Sequence, residues 1–142
     1  MRSSSERVAA FQLGEVAKFE PYTVKYQANY LPDFVMDIRE LRNVLIEVKA
    51  TANASTRKQL KELSASFRKS NTYFIVAVEI PHLRFRLLPE DYTQKVSAKG
   101  TLCGKKLCSW LTTHQIKWVE YSTHLHLTPE RIYERLTKPL RQ

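Results

Sequence analysis

At 142 residues the chain has the length of one domain, enough to bury a core and too short for two ordinary ones. Hydrophobic residues at 43% and charged residues at 26% are ordinary globular values and argue against disorder, collagen-like repetition and low complexity. Lys and Arg number 23 against 14 Asp and Glu, a formal net charge of +9, so the first partner class to consider is a polyanion, nucleic acid above all.

The elements then follow in chain order. Residues 2–5 supply candidate caps for a helix over 6–17, with Ala9, Leu13 and Val16 at helical spacing. Glu6 precedes Ala9 and Leu13 by three and seven positions, so it belongs at the core end of that stripe. Strands are expected over 19–26, broken by Pro21, and over 30–38, with Pro32 near its start. After a turn over 39–43, residues 44–49 alternate: Val44, Ile46 and Val48 face one way, Leu45, Glu47 and Lys49 the other. A basic amphipathic helix from Thr56 turns Leu60, Leu63 and Phe67 inward, and the continuous apolar run 73–78 reads as a strand covered on both faces. Strand, helix and strand together make one βαβ unit. Beyond it come a further strand over 83–88, a helix through Leu107, Trp110 and Leu111, and a strand over 116–121. A last helix starts at Thr128-Pro129 and buries Ile132, Tyr133 and Leu136. The pattern is α/β (α+β), with a mixed sheet flanked by helices. No apolar run approaches the ~18 residues of a spanning helix, and no secretory signal stands at the amino terminus, so a cytoplasmic protein with no membrane partner is expected.

Chemistry concentrates at Pro32-Asp33 and Glu47-Val48-Lys49, fourteen positions apart across a turn. Alternation puts Glu47 and Lys49 on one face, and hairpin pairing brings Asp33 beside them. An ExK triplet alone is usually a solvated strand edge. Here it ends an apolar strand, faces a strand opening on Pro-Asp, and precedes a basic helix. Asp33 and Glu47 are hard oxygen ligands suited to Mg²⁺, and the Val48 backbone carbonyl adds another oxygen. A bound divalent ion lowers the pKa of water and offsets charge on a phosphorane, with Lys49 placed to assist. Glu6 is a further acid for the ligand set. Glu15, nine residues on, points about 180° away from Glu6 on a helix, and Glu20 is more simply a strand-edge acid.

These residues resemble the PD-(D/E)xK nuclease superfamily, and more closely the phage endonuclease I family of Holliday-junction-resolving enzymes. Arg2-Ser3-Ser4-Ser5-Glu6 is similar to that family's Arg-Ser-Gly-Leu-Glu segment, and Tyr30-Leu31-Pro32-Asp33-Phe34 to its Tyr-Thr-Pro-Asp-Phe. Phe19-Glu20, Glu47-Val48-Lys49, the basic pair Arg57-Lys58, Lys99-Gly100 and the stretch 107–118 with Cys108 and His114-Gln115-Ile116-Lys117 continue the likeness. The resemblance implies a restriction-endonuclease-like core and a Mg²⁺-dependent endodeoxyribonuclease, with Mn²⁺ able to substitute, that resolves four-way junctions and other branched DNA by paired nicks. It implies Asp33 and Glu47 as metal ligands, Lys49 as catalytic assistant and Glu6 as the fourth catalytic group. It also implies a homodimer exchanging residues 1–27, with residues 27–29 in the bridge, and the bacterial host cytoplasm as location if the chain is phage-encoded. Three departures stand out: Ala50 where glycine commonly follows the lysine, a longer interval from Asp33 to Glu47, and Ser5 in place of an apolar residue before Glu6.

The cationic surplus suits a phosphate-tracking surface, for which Arg2, Arg57, Lys58, Lys61, Lys99, Lys105 and Lys106 are the candidates. Tyr22, Tyr26, Trp110 and Trp118 are candidates for stacking on bases, although aromatic residues in a small domain are more often core. Cys103 and Cys108, with His114, His124 and His126, invite a zinc reading, but the spacing lacks CxxC pairs and Cys108 reads as the buried side of a helix. Two readings stand beside the resolvase: a nuclease of the same chemistry acting on ordinary duplex in restriction, repair or transposon-end processing, and a noncatalytic basic nucleic-acid-binding protein.

Overall fold

The computed structural model describes residues 4–19, 30–80 and 100–139. Helix α1 (Ser4–Leu13) leads through a single 3-10 turn, Gly14–Val16, into strand β1 (Lys18–Phe19). The helix stops four residues short of its expected end because Gly14 takes a left-handed φ of 66°, the usual conformation just past a helix carboxyl terminus. Strands β2 (Phe34–Ile38) and β3 (Leu41–Lys49) form an antiparallel hairpin. Helix α2 (Ala54–Lys69) then crosses to β5 (Phe74–Glu79), which lies parallel to β3 with Leu45 opposite Phe74 and Lys49 opposite Val78. That is the expected βαβ unit. Helix α3 (Gly104–Thr113), strand β7 (Trp118–Tyr121) parallel to β5, and helix α4 (Pro129–Thr137) complete the described elements. Two-residue strands β4 (Thr51–Ala52) and β6 (Leu102–Cys103) pair beside the main sheet, whose order is β1-β2-β3-β5-β7. The expected strand over 83–88, and all but the start of the one over 19–26, lie outside the described residues.

Alternation along the strands builds two cores, one on each face of the sheet. On one face Val44, Ile46, Val48, Ile75, Ala77, Val119 and Tyr121 meet Ala9 and Leu13 of α1 and Ile132 of α4. On the other, Leu45, Val76 and Val78 meet Leu60, Leu63 and Phe67 of α2 and Leu107, Cys108 and Leu111 of α3. The result is a mixed sheet between two helical layers. Each fully buried leucine or isoleucine contributes roughly 1.5–3 kcal/mol. The capping signal at Thr128-Pro129 holds, Thr128 accepting from the Arg131 N–H, while α2 starts at Ala54, two residues before Thr56, because the Asn53 side chain accepts the Thr56 N–H. Among the described residues no helix is long and apolar enough to cross a membrane.

The β2–β3 hairpin fixes the register of the site. Phe34 pairs with Ile46 and Met36 with Val44, but Ile38 pairs with Leu41, a shift of one residue. The extra residue is absorbed near Asn43, whose φ is 53° and whose N–H is held by Asp37 Oδ1 at 2.9 Å; asparagine tolerates that conformation. The long interval between Asp33 and Glu47 is therefore a tight turn at Arg39-Glu40 plus a bulge. Strand β3 already begins at Leu41, so the expected turn is shorter than 39–43.

Candidate active site

Asp33 stands one residue before the Phe34–Ile46 pair, and Glu47 one residue after it on the facing strand. The pairing seats the Asp33 carboxylate against the end of β3, where Oδ2 accepts the Val48 N–H at 2.8 Å. Glu47 and Lys49 leave β3 on the same side and meet at 3.3 Å, Nζ to Oε2, with side chains 12% and 28% exposed. Helix α1 packs on the opposite face of the sheet through Ala9 and Leu13. Glu6, one turn earlier, reaches around the sheet end and shares a hydrogen bond with Asp33. Glu6, Asp33, Glu47, Val48 and Lys49 thus line one open cleft of about 300 Å³, closed by Ser5, Ala50 and Thr51. Glu15 is exposed in the turn beyond the helix, and Glu20 lies outside the described residues. Ala50 takes no left-handed φ, so its backbone requires no glycine.

Electrostatics in the cleft follow from crowding acids out of water. Burial first, then the charge of Glu47 and the contact with Glu6, push the Asp33 carboxyl up to about 8, against the opposing pull of the Val48 N–H. Burial also raises Glu47, countered by Lys49 and by a hydrogen bond from Tyr30. The Tyr30 hydroxyl donates to Glu47 Oε1, while the ring packs in an aromatic cluster with Phe67 and Phe74 at 5.9 and 6.5 Å between centroids. Tyr30 is the residue that spacing and alternation do not single out. Its only sequence signal is its place two residues ahead of Pro32 in the quoted motif, because its partner is seventeen positions away.

The donor set has the chemistry a hard divalent cation takes: carboxylate oxygens and a backbone carbonyl, with repulsion among the acids that a cation would relieve. Among the described residues, however, no group of three or more His, Cys, Asp or Glu side chains already stands arranged to grip a metal. Asp33 is engaged with Val48 N–H and Glu6, and the Glu47 oxygens with Tyr30 and Lys49. The zinc reading gathers no support either. Cys108 is buried among apolar residues, which pushes its thiol up to about 12, and His114 Nδ1 bonds the Trp110 carbonyl at 2.9 Å.

The candidate lysines stand on the two helices that follow β4 and β6. Pairing of those strands brings Thr51, a residue of the cleft wall, opposite Cys103. Lys58 and Lys61 on α2 and Lys105 and Lys106 on α3 are exposed, and Lys105 lines a separate pocket with Cys108 and Glu120. Arg57 is used differently. Its Nη1 donates to the Ala52 and Gly100 carbonyls at 2.9 and 2.7 Å, and its guanidinium lies 6.0 Å over Trp110, tying the corner together from within. Trp118 is likewise engaged, donating to Thr112 Oγ1 at 2.8 Å under the guanidinium of Arg135. Arg2, Lys99, Tyr22, Tyr26 and the bridge residues 27–29 lie outside the described residues. Comparison with models of known protein families, with curated proteins and with solved structures finds no match for this chain.

Proposed function

We propose that the chain is a divalent-metal-dependent endodeoxyribonuclease whose substrate is branched DNA, four-way junctions included. The observation that carries the chemistry is the convergence of Glu6, Asp33, Glu47 and Lys49 on one cleft. The junction preference rests on the likeness to the endonuclease I family. Asp33, Glu47, the Val48 carbonyl and Glu6 would hold the ion. Mg²⁺, or Mn²⁺ in its place, supplies a Lewis acid for the phosphate and a nucleophile at neutral pH when bound.

The chain's own groups prepare that site. The Val48 N–H orients Asp33, and Tyr30 with Lys49 holds the two oxygens of Glu47, so neither carboxylate must search rotamers as substrate arrives. The Lys49 ammonium, partly open to the cleft, donates to a phosphate oxygen as charge builds on it. Lys58, Lys61, Lys105 and Lys106 follow the backbone without reading bases. Resolution of a junction needs two nicks, hence two copies of the site, and a homodimer provides them.

A second reading keeps the same site and takes ordinary duplex as the substrate. The test is cleavage of a synthetic four-way junction in Mg²⁺ or Mn²⁺, with linear duplex as competitor. Paired nicks, abolished by Asp33→Ala with junction binding retained, are expected. Equal competition by linear duplex would remove the junction preference and leave the duplex reading, and binding without cleavage in either metal would leave a noncatalytic binder.

A further inference from the structure

Helix α1 has a thin apolar footing. Of its ten residues only Ser5, Ala9 and Leu13 are buried, and Phe11 is 84% exposed. Its position is fixed instead by polar contacts to the carboxyl ends of the parallel strands. Ser5 Oγ donates to Glu79 Oε1 at 2.8 Å, and the buried Tyr121 hydroxyl donates to the Ser5 carbonyl at 2.7 Å. Glu79 and Tyr121 are themselves cross-strand partners at the ends of β5 and β7. At the other end of α1, Gln12 donates to the Ser122 carbonyl and accepts the Leu127 N–H, both at 2.6 Å.

We infer that Ser5, Glu79 and Tyr121 form a positioning latch for Glu6. Resting on the nuclease reading above, the latch sets the first turn of α1 against the sheet so that Glu6, the next residue, meets Asp33 in the cleft. Glu79 and Tyr121 do not line that cleft; they act through Ser5. The serine that departs from the apolar residue of the resembled family thereby gains a reason, because its hydroxyl has a carboxylate acceptor waiting at the end of β5. A displacement of Glu6 on the order of 1 Å is enough to cost about 100-fold in rate, whereas DNA held by the exposed lysines of α2 and α3 is not released.

The test measures junction cleavage by the full chain in Mg²⁺ for Ser5→Ala, Tyr121→Phe, Glu6→Gln and the double variant Ser5→Ala/Glu6→Gln, with melting temperatures alongside. Ser5→Ala and Tyr121→Phe should each lower kcat about 10-fold to 100-fold with KM for the junction unchanged. The double variant should be no slower than Glu6→Gln alone, since a residue acting through Glu6 has nothing left to position. Wild-type kcat in both latch variants overturns the inference, as does wild-type kcat in Glu6→Gln. Losses that multiply in the double variant overturn it too, by revealing a general structural effect. Should Ser5→Ala fail to fold, Tyr121→Phe, which keeps the ring, combined with Glu6→Gln carries the same comparison. A wild-type protein that cleaves nothing in either metal defeats the nuclease reading and the latch together, an outcome distinct from cleavage that ignores the latch.

Discussion

Asp33 is the residue on which the cleft turns, and its raised pKa has a consequence for stability. Its folded value of about 8 lies above its ordinary 3.8, so the fold prefers the protonated acid. That contribution is fully present below 3.8 and is lost as pH rises through about 8. Glu47, also raised by burial, has the same sign. The expected outcome, in chelator, is a wild-type melting temperature that falls on this account as pH rises through that window. Asp33→Asn, whose amide oxygen still accepts from Val48, should lose much of that fall and melt higher than wild type above about pH 8. Thermal unfolding against pH for both proteins checks it, and parallel curves would show that Asp33 is not the burdened group. Asp33, Glu47 and Lys49 are legible in the sequence because period-two alternation and one hairpin suffice to bring them together. Tyr30 is not, because its role depends on how an aromatic cluster from β5 and α2 sets the ring beside Glu47.

At the scale of elements, the longer helices and strands were legible wherever apolar periodicity ran for several residues: α2 carries Leu60, Leu63 and Phe67 inward, and β3 divides its side chains between two cores. Pieces held by single contacts were not. Strands β4 and β6 have two residues each, too few for any period, and they meet through pairing between positions about fifty apart. Apolar spacing runs on to Val16, past the stop that Gly14 makes at the end of α1. Arg57 shows the same limit, since composition makes it one cation among many and the fold uses it to join β4 to Gly100. Arg57→Ala should therefore destabilise the protein by about 1.5–3 kcal/mol, the range for hydrogen bonds that involve a charged group. Lys58→Ala, at an exposed neighbour, should stay within about 0.5 kcal/mol. Arg57→Lys should recover only part of the loss, because a lysine lacks the planar guanidinium that lies over Trp110. Urea denaturation of the three variants checks this, and equal effects at positions 57 and 58 would reduce Arg57 to another surface cation.

For the whole molecule, the net charge of +9 resolves into acids gathered inside a cleft and lysines exposed on α2 and α3, and the remaining question is whether each cleft belongs to one chain or two. The exchanged homodimer implied by the family likeness places Glu6 of one copy in the cleft of the other. Helix α1 meets the rest of the described fold through Ala9 and Leu13 in the core, Ser5 on Glu79 and Tyr121, and Gln12 on Ser122 and Leu127, and β1 pairs with β2, Lys18 opposite Val35. Exchange forms the same contacts between two copies, so the two arrangements differ in which copy supplies α1 and not in what α1 touches. Mixing Glu6→Ala protein with Lys49→Ala protein under conditions that exchange subunits decides the matter. If the site is built within one chain, each copy retains its own lesion and the mixture stays inactive. If the helices are exchanged, one of the two composite sites in a mixed dimer receives Glu6 from one copy and Lys49 from the other, both intact, and nicking returns at that site alone. Recovery of single-strand nicks in the mixture, with subunit exchange verified by mass, would therefore establish the exchanged arrangement and place the latch of Ser5, Glu79 and Tyr121 between two chains.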